Sequence, residues 1–171
     1  MPLSPIRVGS THKVRIPLNN LALPRETWYP VRIRIVMKHF NVAAAVFIEN
    51  NKVFCAQRKD SGETAKLWEF PGGKIEEGET PDEALVREIQ EELCVNIRVE
   101  DFITIVNHEY KTFSITMHAY LCTILSGKLT LTEHLDSRWL SVEELESVDW
   151  APADVPIVEK VRVRMRGLNV C

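Results

Sequence analysis

The sequence predicts an α+β domain built around one core, and three observations carry that expectation. Residues 40 to 57 read as two β-like runs joined by an Asn50-Asn51 turn signal, a long acidic segment with helical periodicity starts at Thr80, and β-like runs resume after it. At 171 residues and 45% apolar content, the chain fits one medium domain with a real hydrophobic core rather than two large ones.

Charge and cysteine usage narrow the class. The formal net charge of -3 gives no general attraction to polymeric nucleic acid or to an anionic membrane, while Arg58, Lys59, Lys66 and Lys74 can meet a small phosphate ligand. Cys55, Cys94, Cys122 and Cys171 are dispersed with no CxxC or Cys/His spacing, which points to free thiols in a reducing compartment. The run VAAAVFI at 42 to 48 is too short to cross a membrane, and the N-terminus lacks a secretory pattern, so a cytoplasmic location is expected.

Residues 1–36 carry prolines at 2, 5, 17, 24 and 30 without sustained periodicity and read as an N-terminal extension, flexible or extended. Its end, WYPVRIRIVM at 28 to 37, can supply an edge strand or a dimer contact, which leaves monomer and homodimer both open. Met37 permits a native start there, and residues 37–171 form the expected domain. NVAAAVFI and KVFCAQR then make a hairpin, followed by the polar loop KDSGETAK and the segment Trp68-Glu69-Phe70-Pro71. After the acidic helix, NIRVEDFITIV, FSITMHAYLC and KLTLTEH read as strands. A short helix over VEELES and a final helix from beyond Pro152 through Met165 complete the order.

The helix start has a mechanism. Thr80 can cap orphan amides, Pro81 fits the first helical position, and Glu83 can close a capping box; the helix is expected to run to about Leu93. At about 100° per residue, Leu85, Ile89, Leu93 and Val86 share a core-facing arc. Glu88, Glu91 and Glu92 fall beside that arc, where no lysine relieves their repulsion and only Arg87 offsets part of it. Hard divalent cations take carboxylate oxygens, so Mg²⁺ or Mn²⁺ would relieve the patch and bridge substrate phosphates. Gly72-Gly73, just before the helix, lets backbone approach an anion or offer a carbonyl to metal, and Lys74 adds positive charge.

Gly73, five residues, Glu79, seven residues, Arg87-Glu88, Ile89, then Glu91-Glu92 and Cys94-Val95 resembles the Nudix box, with Cys94 where the family usually has glycine. The resemblance covers roughly residues 37 to 166. It implies a Nudix-type α/β/α sandwich around a mixed sheet and Mg²⁺-dependent hydrolysis of a nucleoside diphosphate linked to a further group. It also implies Glu88, Glu91, Glu92 and the Gly72 or Gly73 carbonyl as metal ligands, with Glu79 and Arg87 bracing the loop-helix joint. The wording WEFPGGKIEEGET is similar to the MutT-type nucleoside triphosphate pyrophosphohydrolases, in which water attacks the β-phosphorus. From the same likeness Glu133, six residues before Trp139, is an auxiliary metal ligand or the base, with Glu92 its rival, and His134 beside it is placed at the surface.

The likeness also assigns Arg58 to phosphate or base, Phe70 to the pocket wall or the core, and Asp154 in DWAPADVP to base reading. An ionised Asp154 only accepts hydrogen bonds, which suits cytosine N4 or the amino and N1-H edge of guanine. The aromatic that covers oxidised guanine in the family is replaced, on this reading, by Ala119. Both points favour CTP, dCTP or 5-methyl-dCTP as the small-molecule substrate, with 8-oxo-dGTP hydrolysis, ADP-ribose or dinucleoside polyphosphate hydrolysis, and a noncatalytic nucleotide-binding module as the alternatives.

Overall fold

The structure, a computed structural model, describes residues 37–168; the expectations for the N-terminal extension lie outside them. In chain order the elements are β1 (Lys38–Glu49), β2 (Lys52–Gln57), β3 (Trp68–Glu69), β4 (Gly72–Lys74), α1 (Pro81–Leu93), β5 (Val95–Glu109), β6 (Phe113–Gly127), β7 (Asp136–Leu140), a 3-10 turn (Val142–Ser147) and α2 (Val155–Leu168). The strands form one sheet in the order β3-β2-β1-β6-β5, with β4 added to β1 and β7 to β2.

The β1-β2 hairpin follows from its turn residues. Asn50 and Asn51 both take positive φ, 49° and 58°, the two left-handed positions of a tight primed turn, and Glu49 pairs with Lys52 across it. β1 then runs parallel to β6 from Lys38 opposite Phe113 to Phe47 opposite Cys122, while its other pairings are antiparallel, so the sheet is mixed. Alternation along β1 sends Ala43, Ala45 and Phe47 to one face and Ala44 and Val46 to the other. α1 covers the first face through Leu85, Ile89 and Leu93; α2 covers the second through Ile157, Val161 and Met165. Each of these helix side chains is fully buried, a gain of about 1.5–3 kcal/mol apiece over exposure for the larger ones. The result is the expected α/β/α sandwich.

α1 begins as its sequence requires. Thr80 Oγ1 accepts the Glu83 amide, the Glu83 carboxylate accepts the Thr80 amide at 2.8 Å, and Pro81 occupies the first turn. It ends at Cys94, which takes the left-handed conformation (φ 57°, ψ 30°) that glycine usually supplies, and whose amide donates to the Gln90 carbonyl. One position on the helix wheel differs from expectation. Val86 is 45% exposed while Ala84 is fully buried, so the helix is rolled toward the side that carries Glu88 and Glu92.

Residues 128–134, expected to be a strand, form none. The amides of Thr130 and Thr132 donate instead to the carbonyls of Leu93 and Glu92, and the Thr132 hydroxyl donates to the Glu91 carbonyl at 2.7 Å. The segment spends its hydrogen bonds capping α1. Leu129 and Leu131 still pack on the α1 face of the core, which is the source of the alternating pattern. The strand is β7, one step later, where Val53 pairs with Leu140 and Gln57 with Asp136.

Candidate active site

The loop between β3 and β4 passes over β1. Ala45 donates to the Pro71 carbonyl, and Ala44 and Ala43 lie opposite Gly72 and Gly73. Gly72 has φ 147°, and a Cβ there would lie 2.1 Å from the Ala43 carbonyl oxygen, so only glycine fits. A Cβ on Gly73 would sit 2.2 Å from Glu88 Cδ, because the Glu88 carboxylate reaches back over this backbone. The Glu92 carboxylate reaches the same strand, accepting the Gly72 amide at 3.3 Å.

Arg87 ties the joint together. Its Nε and Nη2 donate to the two oxygens of Glu79 at 2.8 Å each, Nη2 also donates to the Lys74 carbonyl at 3.0 Å, and Nη1 donates to Glu88 Oε1 at 2.8 Å. The guanidinium, by direct hydrogen bonds, holds the Glu79 carboxyl down at about 2, well below the usual carboxylate range. Glu91 stands apart. Its side chain is 62% exposed and lies 3.9 Å from Arg87 Nη1, because it stands about 100° around the helix from Glu92, farther from the face that Leu85 and Ile89 bury. Among the described residues no three His, Cys, Asp or Glu side chains converge into a ready metal cluster.

A cavity of about 560 Å³ opens beside this strand. Gly72, Gly73, Lys74, Glu88, Glu92 and Glu133 line one part; Arg58, Glu69, Phe70 and Asp154 line another; Phe40, Tyr110, Phe113, Ile115 and Met117 supply an apolar wall. Glu79, Arg87 and Glu91 are not in the lining. Glu133 pairs with Lys59 at 3.1 Å, both largely exposed. Lys74 lies 4.6 Å from the centre of the Phe40 ring. Burial pushes the Glu92 carboxyl up to about 7; the carboxylates of Glu69 and Glu88 add to this, while His134 and the Gly72 amide oppose it.

Asp154 is 1% exposed and immediately precedes α2. Its carbonyl takes the amides of Ile157 and Val158, while its Oδ1 accepts the buried Phe70 amide at 2.9 Å. Burial, reinforced by Glu69, pushes its carboxyl well above the ordinary range, against the opposing Phe70 amide and Arg58. Phe70 is at once core and wall, 3% exposed, with its ring 5.0 Å from that of Trp150.

Two further expectations are overturned. Ala119 is fully buried in the core and lines no part of the cavity, whose aromatic wall comes from Phe40, Tyr110 and Phe113. Tyr110 and Phe113 pack with ring centres 4.7 Å apart. His134 is not at the surface: its side chain is 4% exposed, and its Nε2 lies 3.1 Å from Glu69 Oε1. Glu69, Tyr110 and Phe113 were not singled out from the sequence. The signal for Glu69 is an acid held between two aromatics, Trp68 and Phe70, both of them buried.

The NUDIX domain family model matches residues 42–160. The chain is 37% identical over 123 residues to the CTP pyrophosphohydrolase of Escherichia coli K12, covering 72% of this chain and 91% of that one. It is 33% identical over 127 residues to the 8-oxo-dGTP diphosphatase of the same organism, covering 74% and 98%. Further bacterial relatives carry the latter name. The solution structure of the E. coli ORF135 protein superposes with a TM-score of 0.67 at 35% identity, over 79% of this chain and 96% of that one. The chain belongs to the Nudix hydrolase family. Within it, the fold and these likenesses place it among the MutT-type nucleoside triphosphate pyrophosphohydrolases. That family generally requires a divalent metal. No helix among the described residues is long and apolar enough to cross a membrane.

Proposed function

We propose that this chain hydrolyses a nucleoside triphosphate to its monophosphate and pyrophosphate, with 8-oxo-dGTP as the leading substrate. The observation that carries the reading is one cavity lined both by the glycine-carboxylate strand, with Gly72, Gly73, Glu88 and Glu92, and by a buried Asp154 beside an aromatic wall. One support for a cytosine base falls away: Ala119 lies outside the cavity. Asp154 does not choose between the bases, since a carboxylate accepts from the amino and N1-H edge of guanine as well as from cytosine N4. The broad wall of Phe40, Tyr110 and Phe113 offers a purine the larger stacking area. The relatives named 8-oxo-dGTP diphosphatase point the same way.

The residues fit a divalent cation. Glu88 occupies the space a Gly73 side chain would fill, and it shares the cavity with the Glu92, Glu69 and Glu133 carboxylates, a set of hard oxygen donors. Glu88, Glu91 and Glu92, with the Gly72 or Gly73 carbonyl, would hold Mg²⁺, or Mn²⁺ in its place; Glu133 would assist. When bound, the cation withdraws charge from the phosphoryl oxygens. Lys74 and Arg58 orient the phosphates and base, and Glu79 with Arg87 fixes the strand against α1. Water adds to the β-phosphorus, the bond from that phosphorus to the α-β bridging oxygen breaks, and the monophosphate leaves with that oxygen. Glu92, which lines the cavity beside the Gly72 amide, is better placed to take the water proton than Glu133, which is exposed and paired with Lys59.

A cytosine nucleotide is the second reading, favoured by the 37% identity to a CTP pyrophosphohydrolase. A panel of 8-oxo-dGTP, dGTP, CTP, dCTP, 5-methyl-dCTP and ATP with Mg²⁺, scored by monophosphate and pyrophosphate release, tests both. The highest kcat/KM is expected for 8-oxo-dGTP. A higher value for a cytosine nucleotide selects the second reading, and no hydrolysis of any member rejects both.

A further inference from the structure

A small cavity of about 100 Å³ adjoins the first and is lined by Arg58, Lys59, Ser61, Glu69, Glu92, Glu133 and His134. The His134 side chain is 4% exposed, more enclosed than Glu69 at 16% or Arg58 at 41%. It comes from the segment that caps α1, whereas Glu69 comes from β3 and Arg58 from the residue just beyond β2. The three side chains form a chain across these elements: His134 Nε2 to Glu69 Oε1, then Glu69 Oε2 to Arg58 Nη1.

Both Glu69 oxygens act as acceptors in this arrangement, which assigns the imidazole proton to Nε2. Arg58 Nε and His134 Nδ1 are buried without partners. With Nε unpartnered, the Arg58 guanidinium is held by the group that binds its Nη1. That group is Glu69, and Glu69 is itself fixed by His134.

We propose that His134 is a positioning residue for nucleotide binding: by holding Glu69 it sets the Arg58 guanidinium in the cavity wall where the ligand meets it. His134 touches no ligand in this role. The inference rests on the nucleotide reading of the cavity, although not on turnover, since positioning acts on binding. It predicts that the ring's Nε2 donor is the feature that matters. Gln places an amide nitrogen near the position of Nε2, Asn places one only near Nδ1, and Phe keeps the ring volume without a donor.

The test uses the full chain with His134→Gln, His134→Asn and His134→Phe, alone and in a Glu69→Gln background. Two quantities are read: KM and kcat for the best triphosphate of the panel with Mg²⁺, and metal-free Kd for the monophosphates of 8-oxoguanine and cytosine. His134→Phe and His134→Asn are expected to raise KM and Kd about tenfold, equivalent to about 1.4 kcal/mol, with kcat within about twofold. His134→Gln is expected to stay within about threefold of the native values, and His134→Phe to add nothing once Glu69 is Gln. Equal losses in the Gln and Asn variants, native binding by the Phe variant, or full additivity with Glu69→Gln would each overturn the proposal. Should the Phe variant fail to fold, the Gln-Asn contrast decides. Undetectable monophosphate binding by the native chain also overturns it, whereas intact monophosphate binding without triphosphate turnover rejects only the hydrolytic reading.

Discussion

Gly73 leaves room for the carboxylate of Glu88: a Cβ added there would stand 2.4 and 2.5 Å from its two oxygens. Glu88 is also held by Arg87 Nη1 at 2.8 Å, so it cannot yield without breaking that bond. Gly73→Ala is therefore expected to fold but to lose about 100-fold in kcat, the scale of a displacement of about 1 Å at a reacting centre. Steady-state hydrolysis alongside a thermal melt checks this; a native rate would contradict it.

Glu92 makes the metal-free chain pH-sensitive. Its carboxyl titrates near 7 when folded against an ordinary 4.5, so the folded chain binds more protons between these values. Stability is then greatest at the acid end of that window and falls as pH rises from about 4.5 to about 7, by an amount on the order of 3 kcal/mol from this group. Urea unfolding in chelator across that range reads the slope. Glu92→Gln is expected to flatten it and, with Mg²⁺ present, to lower kcat by at least about 100-fold. An unchanged slope in the variant would remove Glu92 as its source.

Asp154 separates two consequences of one side chain. Asp154→Asn keeps the side-chain shape and an acceptor for the Phe70 amide, so the fold should hold. Asp154→Ala strands that buried amide and should cost about 1–3 kcal/mol. Denaturation midpoints of the two variants distinguish these outcomes; equal midpoints would show that the hydrogen bond contributes nothing.

Cys94 holds a conformation that costs a residue with a Cβ about 1–2 kcal/mol. Cys94→Gly removes that strain and returns part of the gain as unfolded-chain entropy, for a net stabilisation of about 0.5–1 kcal/mol. A melting temperature higher by roughly 1–4 °C is expected. A lower one would mean that the Cys94 side chain makes a compensating contact.

The sequence disclosed what depends on neighbours in the chain. The Asn50-Asn51 turn, the Thr80-Glu83 capping box and the Leu85-Ile89-Leu93 stripe are local, and each is found in the structure. What escaped depends on partners far apart in sequence. Residues 128–134 alternate like a strand, yet their amides go to the end of α1, some forty positions earlier. The exposure of Val86 follows from the roll of α1 on the sheet, which helical period alone does not set. Glu69 and His134 are separated by 65 positions and acquire meaning only once β3 and the capping segment meet. Ala119 took its assigned place from a likeness in wording, and the parallel pairing of β6 with β1 puts it in the core instead.

Thr132 is the immediate neighbour of Glu133 and is anchored through both its amide and its hydroxyl to the final turn of α1. The segment over residues 128–134 is therefore held by the end of that helix. Warming that frays this turn would loosen Glu133 and Glu92 together, so heat inactivation would begin there as a single local event, ahead of melting in the sheet.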